Sequence, residues 1–314
     1  MIRVGAVGVG VHAVNAILPS LPVVDLRLVA TCARHLDRAQ AVANRFGAAS
    51  AFDDVERMLD EVELDGVVVV VPPDQFAPVI RACLRRGVPV FSEKPAANDA
   101  AEAAHLAEEA AAAGVTVMVG YMKRFAYAYR LARDLMSRDG FGRPTLASFT
   151  WSMGPFSDRF DFRDWLFENP VHHFDLARFF CGELTDVHVA RAAGREYTVV
   201  VTAASQSGAV VSIRANTTGS WEQRNEAVEI FGEGHSLFVD NLDTCTHRPP
   251  ERPERVWRPN YTVPLAGNMT GATMGFVTEL EHFRRVVEDG VPCESDLASA
   301  AATLALTERI LEAA

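Results

Sequence analysis

The stretch Ile2-Arg3-Val4-Gly5-Ala6-Val7-Gly8-Val9-Gly10-Val11-His12-Ala13 decides how the rest of the chain is read. Its apolar run, Ile2–Val9, has the near-continuous hydrophobicity of a strand covered on both faces. The run passes into Gly8-Val9-Gly10-Val11-His12-Ala13, a G-x-G-x-x-A. Glycine at 8 permits a tight turn, glycine at 10 lets a pyrophosphate approach the backbone, and the small Ala13 lets a following helix pack close to the sheet. The start of that helix is expected to present unpaired N–H groups and a positive dipole end. A Gly-rich turn by itself is also a plain strand-to-helix connection. Its place after a strand and before a helix points to dinucleotide binding, with Gly8, Gly10, Val11 and His12 as the contacts.

Working outward, further short apolar runs occur at Leu26–Cys32, Gly66–Val71, Val88–Ser92 and Val115–Val119. Helical candidates separate them at Leu36–Phe46, Asp54–Leu59, Phe76–Arg86 and Asp99–Ala113. Strand and helix in alternation read as an α/β, doubly wound parallel sheet. Past about residue 122 the texture changes. Helices are expected at Tyr127–Arg138 and Val171–Phe180, then alternating strands at Thr198–Ala203, Ala209–Ala215, Ala227–Phe231 and Ser236–Val239. Gly232-Glu233-Gly234 reads as a hairpin connection. The pattern is a mainly antiparallel sheet with helices on one face, an α+β domain. Thr246 to about Gly271 carries no periodicity and reads as a long loop, and helices near Phe276–Asp289 and Leu297–Ala313 complete the chain. With roughly 150 residues per domain as a guide, the expected division is 1–122 and 123–314.

The chain has 314 residues, 49% of them apolar and 23% charged, with a formal net charge of −11. That acidic balance argues against a nucleic acid or an anionic membrane surface as the main partner. Five scattered cysteines, with no C-x-x-C spacing, argue against a disulfide framework and a structural zinc site, and no metal site is expected. The longest nearly pure apolar run, Gly66 to Pro73, is too short to span a bilayer, and no basic region leads into a long apolar stretch near Met1. The expected setting is cytoplasmic.

An NAD-binding site of this type places an acidic residue at the end of the second strand, to take the ribose 2′-OH. Here that position is Ala33, and Arg34 follows it. Asp25 precedes the strand and Asp37 falls where the next helix begins. A neutral Ala33 removes repulsion and the Arg34 guanidinium can engage a 2′-phosphate. The expectation is NADP(H) in preference to NAD(H).

The motifs taken together resemble the glucose–fructose oxidoreductase and inositol dehydrogenase family, Gfo/Idh/MocA. The similarity runs through Val69-Val70-Val71-Pro72-Pro73, Phe91-Ser92-Glu93-Lys94-Pro95 with the family's Glu-Lys-Pro signature, and Val119-Gly120-Tyr121-Met122-Lys123-Arg124-Phe125. It continues in His172-x-x-Asp175-Leu176 and Glu279-x-x-x-Phe283. The resemblance implies an N-terminal Rossmann domain and a C-terminal domain whose large open sheet supports a homodimer or homotetramer. It also implies a nicotinamide cofactor between them, contacted near Val71, Pro72, Glu93 and Lys94, and a small polyol substrate such as a sugar or cyclitol.

On the same resemblance Lys94 matches the catalytic lysine and His172 the catalytic histidine. An ammonium stabilises developing alkoxide charge, and an imidazole is suited to take the hydroxyl proton. The family carboxylate four residues before the histidine corresponds to Glu168, but Pro170 intervenes, and proline belongs only in a helix's first turn. Asn169 is then the expected N-cap. His173 competes with His172, since neighbouring helical residues point about 100° apart and one of them should face the site. Lys123, Arg124, Trp165, His173 and Asp175 are the candidate substrate contacts, with Phe160 and Phe162 beside Trp165. For Lys123 and Arg124 the competing reading is interdomain salt bridging, and for the aromatic residues core packing. The leading function is reversible alcohol–ketone interconversion. The other two are a cofactor-binding sensor without catalysis and an NAD-dependent glycoside hydrolase.

Overall fold

The structure is a computed structural model, and it describes all residues except 139, 156–159, 195–196, 221, 223–224 and 260–268. Contacts divide the chain into two units, residues 1–122 with 265–302, and residues 123–264 with 303–314.

In the first unit β1 (Ile2–Val7), β2 (Leu26–Cys32), α1 (Leu36–Phe46), β3 (Ser50–Phe52), α2 (Val55–Glu61) and β4 (Gly66–Val69) lead to α3 (Pro73–Leu84), β5 (Val90–Glu93), α4 (Ala100–Ala113) and β6 (Val117–Gly120). All six strands are parallel, in the order β3-β2-β1-β4-β5-β6. The order reverses between β1 and β4, which opens a crevice at their carboxyl ends where doubly wound sheets take ligands. Val4, Val67, Val68, Val69, Val90 and Phe91 are fully buried, as helices on both faces require.

The segment after the glycine turn departs from the expected regular helix. Ala13–Ile17 is a π-helical turn and Leu18–Val24 a 3₁₀ stretch. Pro19 and Pro22 in the second piece supply no N–H donors, so an unbroken α-helical ladder does not form there.

The second unit contains α5 (Tyr127–Met136), β7 (Leu146–Ser152), α6 (Phe162–Glu168), α7 (Val171–Cys181), β8 (Leu184–Arg191), β9 (Thr198–Ser205) and β10 (Val210–Asn216). It continues with β11 (Asn225–Gly232), β12 (His235–Asp240), β13 (Thr244–Arg248) and β14 (Arg255–Trp257). These strands form one sheet in the order β14-β13-β12-β11-β7-β10-β9-β8, antiparallel except where β7 meets β10. Val199, Val201, Val211 and Ile213 alternate inward and are buried, the period-2 signature of a sheet with one covered face. The stretch from Thr246 is not a plain loop. Thr246–Arg248 ends β13, Pro249-Pro250 follows, and Arg255–Trp257 returns as β14 along the sheet edge. The rest of that expected loop, 260–268, lies outside the described residues.

The chain ends with α8 (Met269–Met274), α9 (Phe276–Asp289) and α10 (Leu297–Ala313). Residues 265–302 belong to the first unit, which corrects the expectation of a contiguous 123–314 domain. The cause is burial: Phe276, Leu280 and Phe283 of α9 are buried, and Phe283 sets its ring edge on Phe91 of β5, centroids 5.9 Å apart. Just beyond α9, Ser295 is tied twice to β6: its carbonyl accepts from Val119 N–H at 2.6 Å, and its Oγ donates to Val119 O at 2.7 Å. An antiparallel bridge, Met118 to Asp296, completes the cover over this sheet edge.

Candidate active site

A cavity of about 330 Å³ opens at the carboxyl ends of β1, β2 and β4. Of the residues expected at a cofactor, Gly8, Gly10, Ala33, Arg34, Val71 and Pro72 line it. Gly8 has φ +91°, and a Cβ there would stand 2.0 Å from the Val70 carbonyl oxygen, so only glycine fits. Its N–H donates to Cys32 O at 2.9 Å, tying the ends of β1 and β2 together. A Cβ on Gly10 would meet nothing within 4 Å. The space kept clear there is the room that a backbone-bound pyrophosphate needs, and the donor set and cavity therefore fit a dinucleotide.

Arg34, His35 and Arg38 stand exposed along one side of the cavity, where β2 gives way to α1. Asp53, just past β3, is the acidic group of the lining, and it lies 3.9 Å from Arg57. Sequence reading missed Arg38, Asp53 and Gln75 here. Arg38 lies four residues after Arg34, in the first turn of α1, a signal present in the sequence; Asp53 depends on β3, whose three residues carry no readable period.

Val11, His12, Glu93 and Lys94 are not in that lining. Val11 is exposed, while the other three are joined by hydrogen bonds: His12 Nε2 and Glu93 Oε1 are 2.9 Å apart, and the Lys94 N–H donates to Glu93 Oε2 at 3.1 Å. Glu93 is buried and Lys94, at the carboxyl end of β5, half-buried.

In the second unit Glu168 is the last residue of α6, and His172 lies in the first turn of α7. Asn169 closes α6 and Pro170 caps α7, so the two side chains do not share one helix face. His172 is half-buried and His173 fully buried. The His173 Nε2 lies 3.6 Å from Glu226 Oε1, its ring is 6.2 Å from that of Trp151, and neither ring nitrogen has a hydrogen-bond partner among the described residues. Burial, then the nearby Lys123 ammonium, hold its pKa well below the usual imidazole range, so the ring stays neutral.

Lys123, Arg124, Trp165, His173 and Asp175, the expected substrate contacts, are all buried. Lys123 Nζ pairs with Glu226 Oε2, and Tyr129 OH donates to Glu226 Oε1 at 2.7 Å. Arg124 makes two 2.6 Å bonds to Asp175, which also accepts from Thr303 Oγ1 at 3.0 Å. These ion pairs lie within the second unit rather than between domains. Arg178 turns to Glu183 and Thr303. Trp165 is fully buried against Phe162 and Tyr197, at 5.7 and 5.5 Å between centroids, the packing alternative for this residue. Phe160 stays exposed. Sequence reading missed Glu226, since nothing in a strand's alternation marks one carboxylate as the partner of a lysine a hundred residues away.

Among the described residues no group of three or more side chains could hold a metal ion, and no helix is long and apolar enough to cross a membrane. A family model described as an oxidoreductase family with an NAD-binding Rossmann fold, GFO_IDH_MocA, matches residues 2–121. The chain is 25% identical over 265 residues to a myo-inositol 2-dehydrogenase of Thermotoga maritima, covering 78% of this chain and 77% of the relative. It is 26% identical over 307 residues to an inositol 2-dehydrogenase of Rhizobium meliloti, covering 90% and 88%. The crystal structure of a dehydrogenase from Chromobacterium violaceum superposes with a TM-score of 0.90 at 27% identity, covering 99% of this chain and 94% of that one.

Proposed function

Because this chain belongs to the Gfo/Idh/MocA family of oxidoreductases, we propose that it interconverts a secondary alcohol and a ketone on a sugar, sugar derivative or cyclitol, using NADP(H) in preference to NAD(H). The observation that carries this is the cavity at the ends of β1, β2 and β4, with open space over Gly10 and two arginines beside the neutral Ala33. Gly8 and Gly10 give the pyrophosphate its approach, and Arg34 with Arg38 supplies the positive charge that a 2′-phosphate needs. The inositol 2-dehydrogenases among the relatives favour a cyclitol ring.

A bound nicotinamide ring supplies the hydride acceptor and donor. Lys94 donates a hydrogen bond to the reacting oxygen and stabilises it as charge develops. His172 takes the hydroxyl proton in oxidation and returns it in reduction. Between the two histidines, the half-buried His172 is the one we propose as the base, a reading supported by the full burial of His173. Glu168 completes the proposed set, acting on His172 across the Asn169-Pro170 connection rather than along one helix. For quaternary structure we propose a homodimer or homotetramer through the second sheet, where Val210, Leu146 and Phe231 sit side by side in register and exposed.

The test is absorbance of reduced nicotinamide with a panel of cyclitols and sugars. Net turnover is expected, with kcat falling on the order of 10²–10⁴-fold in Lys94→Met and in His172→Asn. Dinucleotide binding without turnover would point to a sensor. Glycoside cleavage without net reduction would point to a hydrolase. Full activity in His172→Asn would overturn the assignment of the base.

A further inference from the structure

The helix that carries His172 is anchored by two ion pairs and a hydroxyl. No side-chain hydrogen bond caps the start of α7 among the described residues, so its placement comes from contacts further along. One turn beyond His172, the fully buried Asp175 takes two 2.6 Å bonds from Arg124. The same guanidinium lies over the ring of Phe179 at 5.9 Å, four residues on and on the same face of the helix. Arg178, also buried, reaches past the helix end to Glu183, its Nε donating to Oε2 at 3.0 Å and its Nη2 to Oε1 at 2.5 Å.

One side chain of α10 joins these two pairs. Thr303 Oγ1 donates to Asp175 Oδ1 at 3.0 Å and accepts from Arg178 Nη1 at 2.6 Å. Thr303 is fully buried, where valine would have the same shape without a hydroxyl to desolvate. Both bonds involve a charged partner, which makes them shorter, stronger and more directional than neutral ones. Arg309, further along α10, donates to Leu184 O at 2.8 Å, so the same helix also holds the start of β8. Held at residue 175 alone, α7 could pivot about that point; held at 178 through the same hydroxyl, it cannot. His172 lies three residues before the pivot, about 4.5 Å along the axis. A tilt of roughly 10° would carry its imidazole by about 1 Å, a displacement that can cost an enzyme up to about 100-fold in rate.

We propose that Thr303 is a positioning residue for the proposed base: by joining the Arg124–Asp175 and Arg178–Glu183 pairs it fixes α7, and with it the His172 imidazole. The inference rests on the reading of His172 as the base given above.

The test is steady-state kinetics of Thr303→Val and Thr303→Ser with the alcohol that turns over best in the panel, with dinucleotide Kd and thermal unfolding measured alongside. Thr303→Val keeps the shape and removes the hydroxyl. Its kcat is expected to fall about tenfold, while KM and the dinucleotide Kd stay within about twofold of wild type. Thr303→Ser keeps the hydroxyl and is expected to hold kcat within about threefold. In a His172→Asn background the valine change is expected to lower kcat no further, because it acts through that ring. Four results would each overturn the proposal and leave the base reading intact: wild-type kcat in Thr303→Val, a loss that serine does not rescue, a parallel loss of dinucleotide affinity, or a further tenfold fall in the His172→Asn background. Should the valine variant not fold, Thr303→Ala takes its place. Full activity in His172→Asn would overturn the base reading and this inference together.

Discussion

Gly10→Ala separates what the glycine turn does for the fold from what it does for a ligand. Gly10 is not among the positive-φ glycines, and a Cβ on it meets no atom within 4 Å. Alanine at a compatible glycine position stabilises by about 0.4–1 kcal/mol, through the reduced freedom of the unfolded chain. The expected change in Tm is a rise of about 1–3 °C. The added methyl stands where a pyrophosphate would approach the backbone. Losing one charge-assisted hydrogen bond from that approach removes roughly 1.5–3 kcal/mol, a weakening of about 10- to 100-fold in Kd. Gly8→Ala is the contrasting variant: φ +91° and a 2.0 Å approach to Val70 O force the end of β4 to move. It should lose stability by about 2 kcal/mol or more, from backbone strain alone. The assay is Kd for NADPH and NADH by fluorescence, alongside thermal unfolding, for the two variants and wild type. A Gly10→Ala protein that binds both dinucleotides as tightly as wild type would refute the reasoning, since the clear space over Gly10 would then serve no ligand.

Arg34→Ala is expected to weaken NADPH binding by about 10- to 100-fold and NADH binding by less than about threefold; equal affinities for the two in wild type would remove the basis for an NADP(H) preference. Arg124→Met leaves the Asp175 carboxylate buried without its main partner, and is expected to cost about 3–5 kcal/mol in urea unfolding. Adding Asp175→Leu to it should recover much of that loss. His173 is neutral in the fold and takes a proton once unfolded below about pH 6.5. The unfolded state therefore binds more protons there, and stability falls as pH drops from about 6.5, by up to about 1.4 kcal/mol per pH unit. His173→Phe should flatten that acid limb in urea midpoints; an unchanged limb would mean that the ring titrates in the folded protein.

Most of the first unit was legible because its strands are short apolar runs between amphipathic helices, and because glycine turns leave a pattern in sequence. Val4, Val67 and Phe91 lie where continuous hydrophobicity placed them. The strands that escaped notice had no such contrast. In β7 the order Leu146-Ala147-Ser148-Phe149-Thr150-Trp151 mixes small, polar and aromatic residues, and its place in the sheet comes from pairing with β10 and β11, far along the chain. Around the site, local spacing foresaw that Pro170 would break the helix between Glu168 and His172 and that one histidine would be enclosed. The partners of Lys123 and Arg124 were hidden, since Glu226 and Asp175 reach them only through tertiary folding. Pro19 and Pro22 are the mark in the sequence of the 3₁₀ stretch that follows the glycine turn.

The stitch between Ser295 and β6, with α9 laid over Phe91, has a consequence for synthesis. Residues 265–302 complete the first unit but are translated after residues 123–264 of the second. Until then the nascent sheet carries a bare β6 edge and an uncovered aromatic face, while residues 123–264 are translated. A nascent chain in that condition is exposed to edge-to-edge association. Loss of residues 265–302 would therefore strip the cover from the N-terminal sheet, although they lie far from it in sequence.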